Sequence, residues 1–90
     1  MKNILIVDDD NDLRDAIRTV LEETYGIEEA GSKQEVYDKL AIFSADLIIL
    51  DVMMDTASSG FELARELKNS SKYNKTKILM LTSVDKVMNI

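Results

Sequence analysis

Three runs of four apolar residues, Ile4-Leu5-Ile6-Val7, Leu47-Ile48-Ile49-Leu50 and Ile78-Leu79-Met80-Leu81, are each followed at once by oxygen-bearing side chains: Asp8-Asp9, Asp51 and Thr82-Ser83. A short apolar run that does not alternate with polar positions has the pattern of a strand buried on both faces, as in parallel sheets covered by helices. Between the runs the spacing becomes helical. Leu13, Ala16, Ile17, Val20 and Leu21 recur as one stripe, predicting a helix started by Asp10 or Asn11 and closed by Gly26. A short second strand is expected near Ile27 to Ala30. Ser32-x-x-Glu35 then has the form of a capping box, opening a helix with Val36, Leu40 and Phe43 on one side. Ser59-x-x-Glu62 repeats that form ahead of a third helix carrying Phe61, Leu63, Ala64 and Leu67. Asn69 to Lys77 reads as a surface loop, and Val84, Val87 and Met88 as the start of a fourth helix. Strands alternating with helices imply right-handed crossovers, and so an α/β fold with a doubly wound parallel sheet.

Parallel strands share a direction, so their carboxyl ends share an edge, and open α/β sheets hold their ligands beyond that edge. Asp8, Asp9, Asp51 and Thr82 are expected to meet there. Two like charges about 4 Å apart cost roughly 1 kcal/mol even at the dielectric of water, and more in a cleft. A hard divalent cation removes that cost. The chain has neither histidine nor cysteine, which disfavours zinc and excludes disulfides; Mg2+, bound by a few carboxylates and waters, fits the oxygen donors present. Magnesium beside a carboxylate supports phosphoryl transfer, with a free carboxylate oxygen attacking phosphorus in line. Thr82 can then donate a hydrogen bond to a phosphoryl oxygen.

Each of these residues also has a structural use. Asp8 or Asp9 can serve the start of the following helix, Asp51 an Asx-turn, and Thr82 or Ser83 the cap of the next helix. Asp10 and Asp12 are expected to be capping or solvated. The series Asp8, Asp10, Asp12 has the opening of a calcium loop, but Leu13 and Thr19 stand where that loop needs Gly and Glu. Met53 and Met54 suit loop or core packing, with a backbone carbonyl there in reach of a metal.

Ninety residues, 46% hydrophobic and 31% charged, make one globular domain, and a chain of this size buries roughly 64% of its unfolded surface. A net charge of -6 argues against nucleic acid as a partner, since phosphate-backbone affinity comes from Lys and Arg. No run approaches the ~20 apolar residues of a membrane helix, and four apolar residues after Met1-Lys2-Asn3 are too few for a secretory signal. A cytoplasmic protein with no membrane attachment is expected.

With these residues placed, the chain resembles the receiver domain of bacterial two-component response regulators. The resemblance rests on Ile4 to Asp10 with Leu13-Arg14, on Leu47 to Asp51 with Met54, on Gly60, and on Ile78 to Ser83, and runs from Met1 to Ile90. It implies a flavodoxin-like sheet with strand order 2-1-3-4 and Asp51 as the acceptor of a phosphoryl group from a histidine kinase, a phosphotransfer protein or a small phosphodonor. It further implies Mg2+ held by Asp8, Asp9, Asp51 and the Met53 carbonyl, with Thr82 as the switch hydroxyl. Such a domain is a phosphoacceptor, catalysing only its own phosphorylation and dephosphorylation.

The match has departures. Asp55 follows Met54 where the family usually has proline, and the stretch to Gly60 is one residue longer than expected. The family continues to a fifth strand and helix, and that strand carries a lysine for the phosphoryl group. Residues 1–90 therefore read as an incomplete receiver, with the fifth strand and helix missing. Lys77 is no substitute, because it precedes the fourth strand and lies roughly 16 Å from the site at about 3.3 Å per residue. The fourth strand is expected to be a bare apolar edge through which the chain self-associates. The alternative function is a phosphorylation-impaired receiver acting as an interaction or dimerisation module.

Overall fold

The computed structural model describes residues 1–52 and 59–81. Along them run β1 (Asn3–Val7), α1 (Asn11–Leu21), β2 (Gly26–Ala30), α2 (Lys33–Leu40), β3 (Leu47–Asp51), α3 (Ser59–Asn69) and β4 (Lys77–Leu81). The strands form one sheet in the order β2-β1-β3-β4, with β1 parallel to β2 and β3 and β3 parallel to β4. Each expected strand is present. The expected fourth helix, with Val84, Val87 and Met88, lies outside the described residues.

The uninterrupted apolar runs have the cause inferred for them, because successive side chains point to opposite faces and both faces are covered. Leu5, Val7, Ile48 and Leu50 pack with Val36 and Leu40 of α2 and Leu63 and Leu67 of α3. Ile4, Ile6, Ile27 and Ile49 face the other way, toward Ile17 and Leu21 of α1. Capping follows the sequence in two places. Asp10 is the N-cap of α1, accepting from the amides of Asp12 and Leu13 at 2.9 and 3.2 Å. Ser32 caps α2 by accepting from the Glu35 amide at 3.2 Å, while Glu35 accepts from the amide of Gly31 rather than of Ser32.

Four expectations need correction. Gly26 does not close α1, which ends in an ordinary right-handed turn at Glu22; Gly26 instead opens β2, where its amide donates to Lys2. The α1 stripe is not buried: Leu13, Ile17 and Leu21 are half-covered, and Ala16 and Val20 are exposed. Phe61, two residues before the buried Leu63 and so on the opposite side of the helix, also points outward. Lys77 belongs to β4 rather than to the loop before it. The α1 stripe and Phe61 are exposed because helical spacing marks a face without stating that another element covers it.

Among the described residues, the two outer strands of the sheet differ in kind. β2 carries Glu28 and Glu29 on opposite faces, each ion-paired to a helix: Glu28 to Lys39 at 2.8 Å, Glu29 to Arg18 at 2.6 Å and to Arg14 at 3.2 Å. β4 ends in Leu79 and Leu81, 49% and 39% exposed.

Candidate metal and phosphoryl site

The register sets the site. Val7 pairs with Leu50, so Asp8, one residue beyond β1, lies beside Asp51 at the end of β3. Asp51 pairs in turn with Leu81, and the Val52 amide donates to the Leu81 carbonyl at 2.8 Å, holding the end of β4 against the same edge. Carboxylate oxygens of Asp8, Asp9 and Asp51 all lie within 4.8 Å of one another. Asp8 and Asp51 are buried, 5% and 2% exposed, whereas Asp9 opens to solvent. Two acids are thus fixed by the fold and the third closes the group from outside.

Neighbouring groups hold these acids in place. The Asp8 amide donates to Ala30 at 3.1 Å, which continues the β1–β2 ladder past the strand end. One oxygen of its carboxylate accepts from the Asp10 amide at 2.8 Å. The Asp8 carbonyl accepts from the Arg14 guanidinium, whose other nitrogens bond Glu29 at 3.2 Å and Asn11 at 2.9 Å. Behind Asp51 stands Gly60. A Cβ built there would overlap the Asp51 carbonyl and lie 2.6 Å from that of Val52, so α3 seats against the phosphoacceptor candidate only because position 60 has no side chain.

Arg14 and Gly60 entered the sequence reading as matching positions without a physical role. A signal for Arg14 was present: an arginine near the positive end of a helix opposes the macrodipole and calls for a specific partner. Gly60 gave no such signal, since its constraint comes from a backbone distant in sequence. Thr82 and Met53 lie outside the described residues, as do Met54 and Asp55.

Three carboxylates so close, two of them withdrawn from water, suit a small, hard, oxygen-seeking cation. A parallel doubly wound sheet with such an acidic pocket beyond its carboxyl ends defines a class of protein, the flavodoxin-like α/β domains that bind their ligand at the strand ends. Residues 4–90 match the response regulator receiver domain, and the chain belongs to that family. It is 40% identical over 83 residues to the phosphate regulon transcriptional regulatory protein PhoB of Pseudomonas aeruginosa, covering 91% of this chain and 36% of that protein. It is 38% identical over 81 residues to the transcriptional regulatory protein ResD of Bacillus subtilis, covering 89% of this chain and 32% of that one. The chain thus spans about a third of the length of these relatives. Among solved structures, the response regulator TrrA of Thermotoga maritima, in complex with Mg2+ and a beryllium fluoride, superposes with a TM-score of 0.79 at 36% identity, over 99% of this chain and 76% of that one. No helix among the described residues is long and apolar enough to cross a membrane.

Proposed function

We propose that residues 1–90 act as a phosphoacceptor receiver module in a two-component phosphorelay, with Asp51 taking the phosphoryl group. The observation that carries this reading is the convergence of Asp8, Asp9 and Asp51 within 4.8 Å at the carboxyl edge of the sheet. Asp8, Asp9 and Asp51, with the Met53 carbonyl, would hold Mg2+, which supplies charge neutralisation for an incoming phosphoryl group. Asp51 provides the nucleophile. One carboxylate oxygen attacks phosphorus of a phosphohistidine or small phosphodonor, the bond from phosphorus to the donor breaks, and the donor leaves with that electron pair and takes up a proton. The β3 backbone places Asp51 at the sheet edge with Gly60 packed against its carbonyl, Asp8 is oriented by the Asp10 amide and Arg14, and Thr82 is the switch hydroxyl. The module is no enzyme toward other substrates and works in the cytoplasm, with a histidine kinase or phosphotransfer protein as its partner.

Incubation with a small phosphodonor and Mg2+ is expected to add one phosphoryl group per chain by intact-mass spectrometry, and Asp51→Asn to abolish the gain. A gain that persists in Asp51→Asn removes the assignment.

The exposure of Leu79 and Leu81 on β4 among the described residues favours a second reading, in which self-association through β4 is the main output and phosphorylation is impaired. Normal Mg2+ binding without any phosphoryl gain would select it.

A further inference from the structure

Arg14 brings a full positive charge to the rim of the acidic pocket, and each of its three guanidinium nitrogens has an acceptor: Glu29 at 3.2 Å, Asn11 at 2.9 Å and the Asp8 carbonyl. The contact with Asp8 is to its main chain. Among the described residues Arg14 is ion-paired with Glu29 and with no acid of the pocket. A guanidinium bonded to the Asp8 backbone stands beside three carboxylates that lie within 4.8 Å of one another, and its fork of N–H donors matches carboxylate oxygens better than a lone carbonyl. Something must hold it off them.

The holder comes from β2 and the residue after it. Glu29 takes Arg14 on one oxygen and Arg18, one turn further along α1, on the other at 2.6 Å, which fixes the carboxylate over β2. Arg14 and Glu29 keep only 15% and 19% of their side-chain surface in water, so solvent screens their attraction less than it would a surface pair. Gly31 completes the seat. The Asp8 amide donates to Ala30, which keeps the following residue close to Asp8, and a Cβ built on Gly31 would lie 2.7 Å from Nη1 of Arg14. The guanidinium therefore reaches the Asp8 carbonyl only because position 31 has no side chain. Gly31 has no positive φ and its amide donates to Glu35 at 2.7 Å, so the backbone there would accept alanine. What glycine supplies is room.

We infer that Glu29 and Gly31 are positioning residues for the cation site, keeping the Arg14 guanidinium on the Asp8 carbonyl and off the Asp8 and Asp9 carboxylates, so that these remain available to Mg2+. This deepens the phosphoacceptor reading and rests on it for the cation. With the seat intact, Arg14 serves the site by pinning the backbone of one of its acids. With the seat broken, the same charge enters the pocket, repels a divalent ion and occupies the oxygens it needs. Two residues outside the carboxylate set thus decide whether Arg14 supports the site or blocks it.

Gly31→Ala tests this most cleanly, because it changes no charge. In calorimetric titration, Mg2+ affinity is expected to fall roughly tenfold in Gly31→Ala and in Glu29→Gln, the low end of what loss of a group supporting metal ligands costs. In an Arg14→Gln background no guanidinium is left to misplace. There Gly31→Ala should cost nothing further, and Glu29→Gln at most the small effect of a distant, partly screened charge. Unchanged affinity in Gly31→Ala, or losses that persist in full in the Arg14→Gln background, overturn the inference, since the effect then owes nothing to Arg14.

The position of Arg14 is also read without metal. Nuclear Overhauser contacts from its Nε proton should reach the Glu29 methylene protons in the unsubstituted chain, and the Asp8 or Asp9 methylene protons in Gly31→Ala and Glu29→Gln. If that change occurs in a chain that binds no Mg2+, only the metal reading falls. If Mg2+ binds and the Arg14 contacts stay where they were in both variants, only the positioning role falls.

Discussion

Asp51 is held by its strand and its neighbours rather than by its own side chain alone. Its carbonyl side is in contact with Gly60, where any Cβ would overlap the chain. Gly60→Ala is therefore expected to move α3 off the end of β3 and cost about 1–3 kcal/mol, the usual penalty of overpacking. Urea unfolding measures the loss, and a midpoint equal to that of the unsubstituted chain would deny the close approach. At this scale the sequence was legible where chemistry is written in residue type: Asp8, Asp9 and Asp51 are acids wherever they fold, and the ends of apolar runs placed them together. Arg14 was legible only as a charge at odds with the positive end of its helix, since its partner is a carbonyl six residues away, and the role of Gly60 was not legible at all, because it depends on the backbone at the end of β3.

The α1–β2 pair shows how elements steady the site from behind. Arg14 links the Asp8 carbonyl to Glu29, and Arg18 binds the second oxygen of Glu29 at 2.6 Å. Burial works to raise the Glu29 pKa, but the hydrogen bonds and charges of Arg18 and then Arg14 outweigh it and hold the carboxyl below its ordinary 4.5. A carboxyl lowered in the folded state stabilises the fold above its unfolded pKa, and that contribution fades as pH falls through the folded pKa. Unfolding at a series of pH values should accordingly show Glu29→Gln less stable than the unsubstituted chain near neutrality, with the gap closing in acid below the ordinary carboxyl range. A gap of constant size would contradict the ion-paired assignment. Element order, strand positions and two caps were legible from periodicity. The burial of α1 was not: its stripe of Leu13, Ile17, Val20 and Leu21 looks like any buried helix face, yet no α1 residue is fully covered and Val20 is 77% exposed. The hydrophobic pattern describes what a helix can bury, and its neighbours decide what it does bury.

At the scale of the described fold, a parallel sheet joins an acidic pocket at the carboxyl end of its strands to a lysine-bearing rim at the other. On the proposed reading, Asp8, Asp9 and Asp51 act together on one divalent cation. Calorimetric titration with Mg2+ of the unsubstituted chain and of Asp8→Asn, Asp9→Asn and Asp51→Asn tests it most directly. One ion per chain with affinity weakened in all three variants is the expected result; variants that bind Mg2+ as tightly as the unsubstituted chain would contradict the account.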